Sequence, residues 1–264
     1  MQLNTDRMLA HREGAIGWIT FNNPARHNAV SLAMWQALHE IVQAFAADDG
    51  IRVVVVRGAG NKAFVSGADI SEFEEKRSST ETTRIYNETS QRATLALRNL
   101  GKPTIAMVQG FCVGGGVSIA LSCDMRIAGA GSSFAVPAAK LGLGYEFEGV
   151  RKLVDVVGPA FAREIFYTAR QFSAEESLAM GLVNRLVPAE SLEAAVRDCA
   201  SRIAANAPLT VASIKTLVAQ ALKDESARDM RLCEDVVARC FASEDYREGR
   251  QAFMDKRKPA FKGR

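Results

Sequence analysis

Apolar positions along the chain follow two alternating periods. Ala15-Ile16-Gly17-Trp18-Ile19-Thr20-Phe21 reads as a strand that stops at the Asn22-Asn23-Pro24 turn signal. Ser31 then caps a helix whose apolar residues Leu32, Trp35, Leu38, Ile41, Val42 and Phe45 recur every three to four positions. Arg52-Val53-Val54-Val55-Val56-Arg57 predicts a buried strand, followed by a loop from Gly58 to Lys62. A polar stretch, Ser71 to Thr83, has the composition of a mobile loop and precedes a helix from about Arg84 to Leu100. Thr104 to Val108 and Asp124 to Ala128 are further strands. Strand and helix in alternation imply an α/β fold with parallel strands.

After about Gly181 the pattern becomes helical throughout, with candidates at Ser191–Ala205, Leu209–Leu222, Ser226–Phe241 and Ser243–Lys256. We therefore divide the chain into a core, 1–190, and a C-terminal helical region, 191–264. A helical tail with apolar faces packs on its own core or on a partner. No repeat of 20–50 residues and no low-complexity tract interrupts this plan.

Composition narrows the function classes. At 264 residues and 48% hydrophobic content the chain can bury a sizeable core. Its longest apolar runs are too short to span a membrane. Residues 1–6 carry no charged-then-apolar leader, so the expected compartment is the cytoplasm. A net charge of +3 is too small to argue for nucleic acid. The five cysteines and three scattered histidines show no metal-ligand spacing, so we expect no metal, and structural burial for the cysteines.

Chemistry concentrates where the strand ending at Val108 runs into Gln109-Gly110-Phe111-Cys112-Val113-Gly114-Gly115-Gly116-Val117-Ser118-Ile119-Ala120. Three glycines clear side chains from a helix start, where backbone N–H groups can receive a developing negative charge. Three other segments accompany it: Asn23 to Val30, Ala63-Phe64-Val65-Ser66-Gly67-Ala68-Asp69-Ile70, and Ser243 to Gly249 continuing to Lys256-Arg257-Lys258-Pro259. In this order and spacing, the four segments resemble the crotonase (enoyl-CoA hydratase/isomerase) superfamily over nearly the whole chain.

That resemblance implies a ββα spiral core with a C-terminal all-helical trimerisation region, assembling as a homotrimer or a dimer of trimers. It implies an acyl-CoA thioester as ligand, with coenzyme A entering as part of the substrate and no separate cofactor. By position, the backbone N–H groups of Ala68 and Gly115 are the oxyanion-hole donors. Ala25, Arg26, Ala29, Ser66, Asp69, Ile70 and Gly114 match positions along the bound ligand. Arg26 is a candidate for a CoA phosphate. Phe253 and Lys256 match residues at the adenine end, in many members supplied by the neighbouring subunit. His27 lies in the loop beside the CoA arm, which favours a structural role over that of a general base.

The chain departs from its relatives where water is handled. Hydrating members use two glutamates, one accepting a proton while the other donates. Ser118 and Ala138 occupy those positions here, so ordinary hydration is disfavoured. Nearby, Tyr145 falls where methylmalonyl-CoA decarboxylase-like members carry an active-site tyrosine, and Glu146 where dehalogenase-like members carry an aspartate. Tyr145 would donate a proton, and Glu146 or Glu148 would act as a base if burial raised its pKa. The expected activity is that of a family lyase or isomerase holding a thioester enolate. The alternatives are a malonyl-type acyl-CoA decarboxylase and a non-catalytic acyl-CoA-binding subunit. A serine hydrolase is disfavoured because no Gly-x-Ser-x-Gly elbow occurs.

Overall fold

The computed structural model describes residues 3–69 and 80–264. Its main sheet begins with an antiparallel hairpin, β1 (Met8–Glu13) and β2 (Ile16–Phe21), and continues parallel through β3 (Val53–Gly58), β5 (Thr104–Val108), β7 (Met125–Gly129) and β10 (Arg185–Val187). The valine run is explained by burial on both faces. Val54 and Val56 point with Ile19, Phe21, Ala106 and Val108 into a large core beneath α1 (Leu32–Ala47) and α2 (Thr80–Arg98). Val53 and Val55 point the other way, with Trp18, Ile105 and Ile127, against α6 (Leu192–Ala204).

A smaller sheet runs β4 (Ala63–Val65), β6 (Phe111–Val113), β8 (Ser133–Ala135), β9 (Phe172–Ser173), parallel except for β9. Long strand, short strand and helix then repeat three times. The units are β3-β4-α2, β5-β6-α3 (Gly115–Ser122) and β7-β8-α4 (Phe147–Thr168). Each turn of the chain adds one parallel strand to both sheets and one helix outside them, which is the expected ββα spiral.

Several elements escape periodicity, α4 and β10 among them. Helix α4 contains a break at Gly158 (φ 74°), followed by Pro159, so its apolar repeat is interrupted. Strand β10, three residues long, lies inside the region read as helices only. It is added to the sheet edge by pairing with β7, a long-range event invisible to local pattern. Beyond α5 (Ala174–Ala179) and α6 come α7 (Pro208–Ala221), α8 (Met230–Ala242) and α9 (Glu244–Met254). The chain end folds back: Lys262 and Gly263 amides donate to Asp245 at 2.6 and 2.8 Å, and Arg52 donates to the Phe261 and Ala204 carbonyls. Among the described residues no helix is long and apolar enough to cross a membrane.

Candidate active site

Strand β6 ends at Val113, and Gly114 reverses the chain into α3 with φ 53° and ψ −109°, a backbone shape that a side chain resists. The Gly114 amide is held by the Ala135 carbonyl at 2.8 Å. Gly116 follows with its α-carbon so close to the Val65 carbonyl oxygen that a β-carbon would collide with it. Strand β4 and the start of α3 are thereby pressed together.

The segment after β4 supplies the facing wall. Val30 donates to the Gly67 carbonyl at 2.8 Å and accepts from the Asp69 amide at 3.1 Å. This one-residue parallel bridge leaves the Ala68 amide pointing outward. A methyl placed on Gly115 would lie 3.9 Å from the Gly67 α-carbon, so the two amides belong to neighbouring backbones. Among the described residues neither Ala68 N–H nor Gly115 N–H donates a hydrogen bond. Gly115 is moreover the first residue of α3, where the helix leaves its amides unpaired and slightly positive. Two amides without an acceptor among the described residues, at one cavity wall, can receive an anion.

The loop from Asn23 to Val30 is organised by a residue that is not among the site candidates. Asn28 is fully buried with φ 57°. Its amide nitrogen donates to the Ala59 and Ala63 carbonyls at 3.0 and 2.7 Å, while its oxygen accepts from Asn23 N–H at 2.9 Å. Arg26, the phosphate candidate, pairs with buried Asp69 at 3.4 Å, and Arg7 approaches the same carboxylate at 3.8 Å. Ala25 is exposed and Ala29 buried. Ser66 is tied to the His27 carbonyl through its amide, and His27 packs beside Phe111 outside the cavity. Ile70 lies outside the described residues.

Next to the two amides opens a cavity of about 330 Å³. Ser66, Ala68, Gly114, Gly115, Ser118 and Ala138 line it, as do Tyr145, Glu146 and Glu148. Both positions where hydrating relatives carry glutamate therefore face the cavity with a hydroxymethyl and a methyl. Tyr145 packs edge-on against Phe166, and burial pushes its phenol pKa upward, which keeps it a proton donor. Glu146 sits at the N-cap of α4 and is exposed; Glu148 is half-buried.

Further walls come from Trp35 on α1 and a polar face of α2. Trp35 Nε1 donates to Tyr86 at 2.9 Å, and that hydroxyl donates onward to the Val30 carbonyl at 3.2 Å. Lys152 on α4 completes the lining. The sequence signal for these groups is indirect: Tyr86 and Lys152 sit one helix turn from other inward positions, but only the spiral brings α1, α2 and α4 to one space. Phe253 on α9 and Lys256 in the turn that follows it are exposed, away from this cavity within one chain. Among the described residues no three His, Cys, Asp or Glu side chains cluster to hold a metal.

The enoyl-CoA hydratase/isomerase family model matches residues 11–264. The chain belongs to that family. It is 33% identical to the short-chain-enoyl-CoA hydratase of Clostridium acetobutylicum, with all of both chains covered. It is also 33% identical to the carnitinyl-CoA dehydratase of Salmonella typhi, covering 96% of this chain and 97% of that one. A solved enoyl-CoA hydratase/carnithine racemase from Magnetospirillum magneticum superposes with a TM-score of 0.94 at 38% identity, covering 99% and 97% of the two chains. This family member is thus an acyl-CoA enzyme with the crotonase fold.

Proposed function

We propose that the chain holds an acyl-CoA thioester with its carbonyl oxygen between Ala68 N–H and Gly115 N–H, stabilises the enolate formed there, and is not an ordinary hydratase. The observation that carries this reading is the pair of unpaired amides over a cavity whose two glutamate positions are Ser118 and Ala138. Rigid backbone donors stabilise charge as it develops, and losing one such donor raises a barrier by about 3–4 kcal/mol. Water addition needs a proton acceptor and a proton donor at the β-carbon. A serine hydroxyl, which is itself a poor proton acceptor, and an alanine do not supply this pair. Loss of carbon dioxide from a malonyl-type thioester needs only enolate stabilisation and then a proton, for which Tyr145, a cavity-lining phenol with its pKa raised by burial, is the candidate donor. That makes malonyl-type decarboxylation the best-supported reaction, ahead of isomerisation, which requires a carboxylate base.

Two measurements test the reading. Acetoacetyl-CoA bound to the protein should show its enolate absorbance at a pH where the free thioester is still in the keto form; an unmoved midpoint removes the hole. Steady-state assays should then give a higher kcat/KM for methylmalonyl-CoA decarboxylation than for crotonyl-CoA hydration. The reverse order defeats the second half of the reading.

A further inference from the structure

Among the described residues Lys152 is the one cationic side chain lining the cavity, and enolate stabilisation gives it no task. It is 6% exposed. Its Nζ donates to Ser122 Oγ at 3.2 Å, and Ser122 in turn donates to the Ser118 carbonyl at 2.8 Å. An ammonium has three donors, and among the described residues no second acceptor receives the other two. Asp155, one turn along α4, is engaged by Arg98 at 3.7 Å and Arg151 at 3.9 Å. Glu148 shares the cavity wall but comes no closer than 4 Å to any cation among the described residues. A buried charge with two unspent donors at the edge of a ligand cavity is costly unless the ligand completes it.

We propose that Lys152 receives the terminal carboxylate of a dicarboxylic acyl-CoA, so that the acyl group of this site is anionic at its far end. The inference rests on the acyl-CoA reading alone and concerns the far end of the acyl group, so this carboxylate is distinct from any α-carboxylate lost in a malonyl-type decarboxylation. An apolar acyl chain reaching Lys152 would strip water from the ammonium and return nothing. A carboxylate would accept both remaining donors in charge-assisted hydrogen bonds. Ser122, which holds the ammonium, follows Gly115 by seven residues on α3, about 10 Å of helix rise, so diacids of several lengths are the appropriate probes. Arg98 adds positive potential from the same side, as its repulsion of the ammonium shows.

Calorimetric titration with butyryl-, succinyl-, glutaryl- and adipyl-CoA tests the assignment. At least one diacid thioester should bind about tenfold or more tightly than butyryl-CoA. Lys152→Met should lose that advantage while changing butyryl-CoA affinity far less, and Lys152→Arg should retain part of it. Equal affinity of the wild type for all four ligands, or an advantage that survives Lys152→Met, overturns the proposal. Binding of none of the four more tightly than free coenzyme A overturns instead the acyl-CoA reading beneath it.

Discussion

At the scale of single residues, Lys152 is a position where folding and ligand recognition pull in opposite directions. Burial lowers its pKa to about 8, with Arg98 acting in the same direction and Glu148 against it. In the unfolded chain the amine keeps its proton up to about pH 10.5. Between these values the unfolded state binds more protons, so stability rises with pH through the window, and the penalty is fully present below about pH 8. At neutral pH it is on the order of 3 kcal/mol. We therefore expect Lys152→Met to be more stable than the wild type at pH 7, with the difference closing by about pH 10. Denaturant unfolding at four pH values checks this, and curves that run parallel would contradict it. Ser118, Ala138 and the glycine run were legible directly from the sequence, because each is defined by its offset from a motif. Lys152 was not, since its importance comes from burial on a helix that the Gly158 break conceals.

At the scale of elements, the proposed anion site depends on how α3 is clamped at both ends. Its N-terminus is fixed by the Gly114 turn and by the close approach of Gly116 to β4. Its C-terminus is fixed by Arg126, a nearly fully buried guanidinium on β7. Arg126 donates to the Cys123 and Ala120 carbonyls at 3.0 and 3.4 Å, to the Leu182 carbonyl at 2.6 Å, and to the Asn184 side chain at 3.3 Å. A cation at this end also opposes the negative pole of the helix. Arg126→Met removes all of these donors; the Ala120 carbonyl keeps the Cys123 amide, but the Cys123 and Leu182 carbonyls lose this donor, at about 1–3 kcal/mol each. The expected loss is about 3 kcal/mol or more in urea unfolding, and a change under 1 kcal/mol would show that the clamp is dispensable. Local pattern identified α1, β3, β5 and β7 because each is a self-contained run of period 3.6 or 2 or an unbroken apolar stretch. It missed the six-residue edge strand β1, and it missed β4, β6, β8, β9 and β10, which are two or three residues long and exist only through pairing with distant strands.

At the scale of the whole molecule, the two faces of the main sheet are closed by different parts of the chain. The ligand side is covered by α1 and α2, and the other by α6, whose Leu192, Val196 and Ala200 are buried against Trp18, Val53 and Val55. The helices C-terminal to α6 carry uncovered apolar surface: Ile214, Val218, Phe241 and Phe253 are all exposed, Phe253 by 82%. Contiguous exposed apolar surface of this kind on a single chain marks a surface for association. Together with the family resemblance it supports assembly into a homotrimer or a dimer of trimers, with α7 to α9 between subunits. Sedimentation at micromolar concentration should then give a mass three or six times the 28.6 kDa of one chain. Ile214 and Val218 lie one turn apart on α7, and both side chains are half exposed. Charging them in the double variant Ile214→Glu/Val218→Glu should shift the protein toward 28.6 kDa, because two carboxylates buried in an apolar contact are each costly to desolvate. If Phe253 and Lys256 complete the coenzyme end of a neighbour's site, the same variant should raise KM for the acyl-CoA more than it lowers kcat. A wild-type protein that sediments as a single chain across this concentration range would remove the assembly, and with it the role of Phe253 and Lys256 in ligand binding.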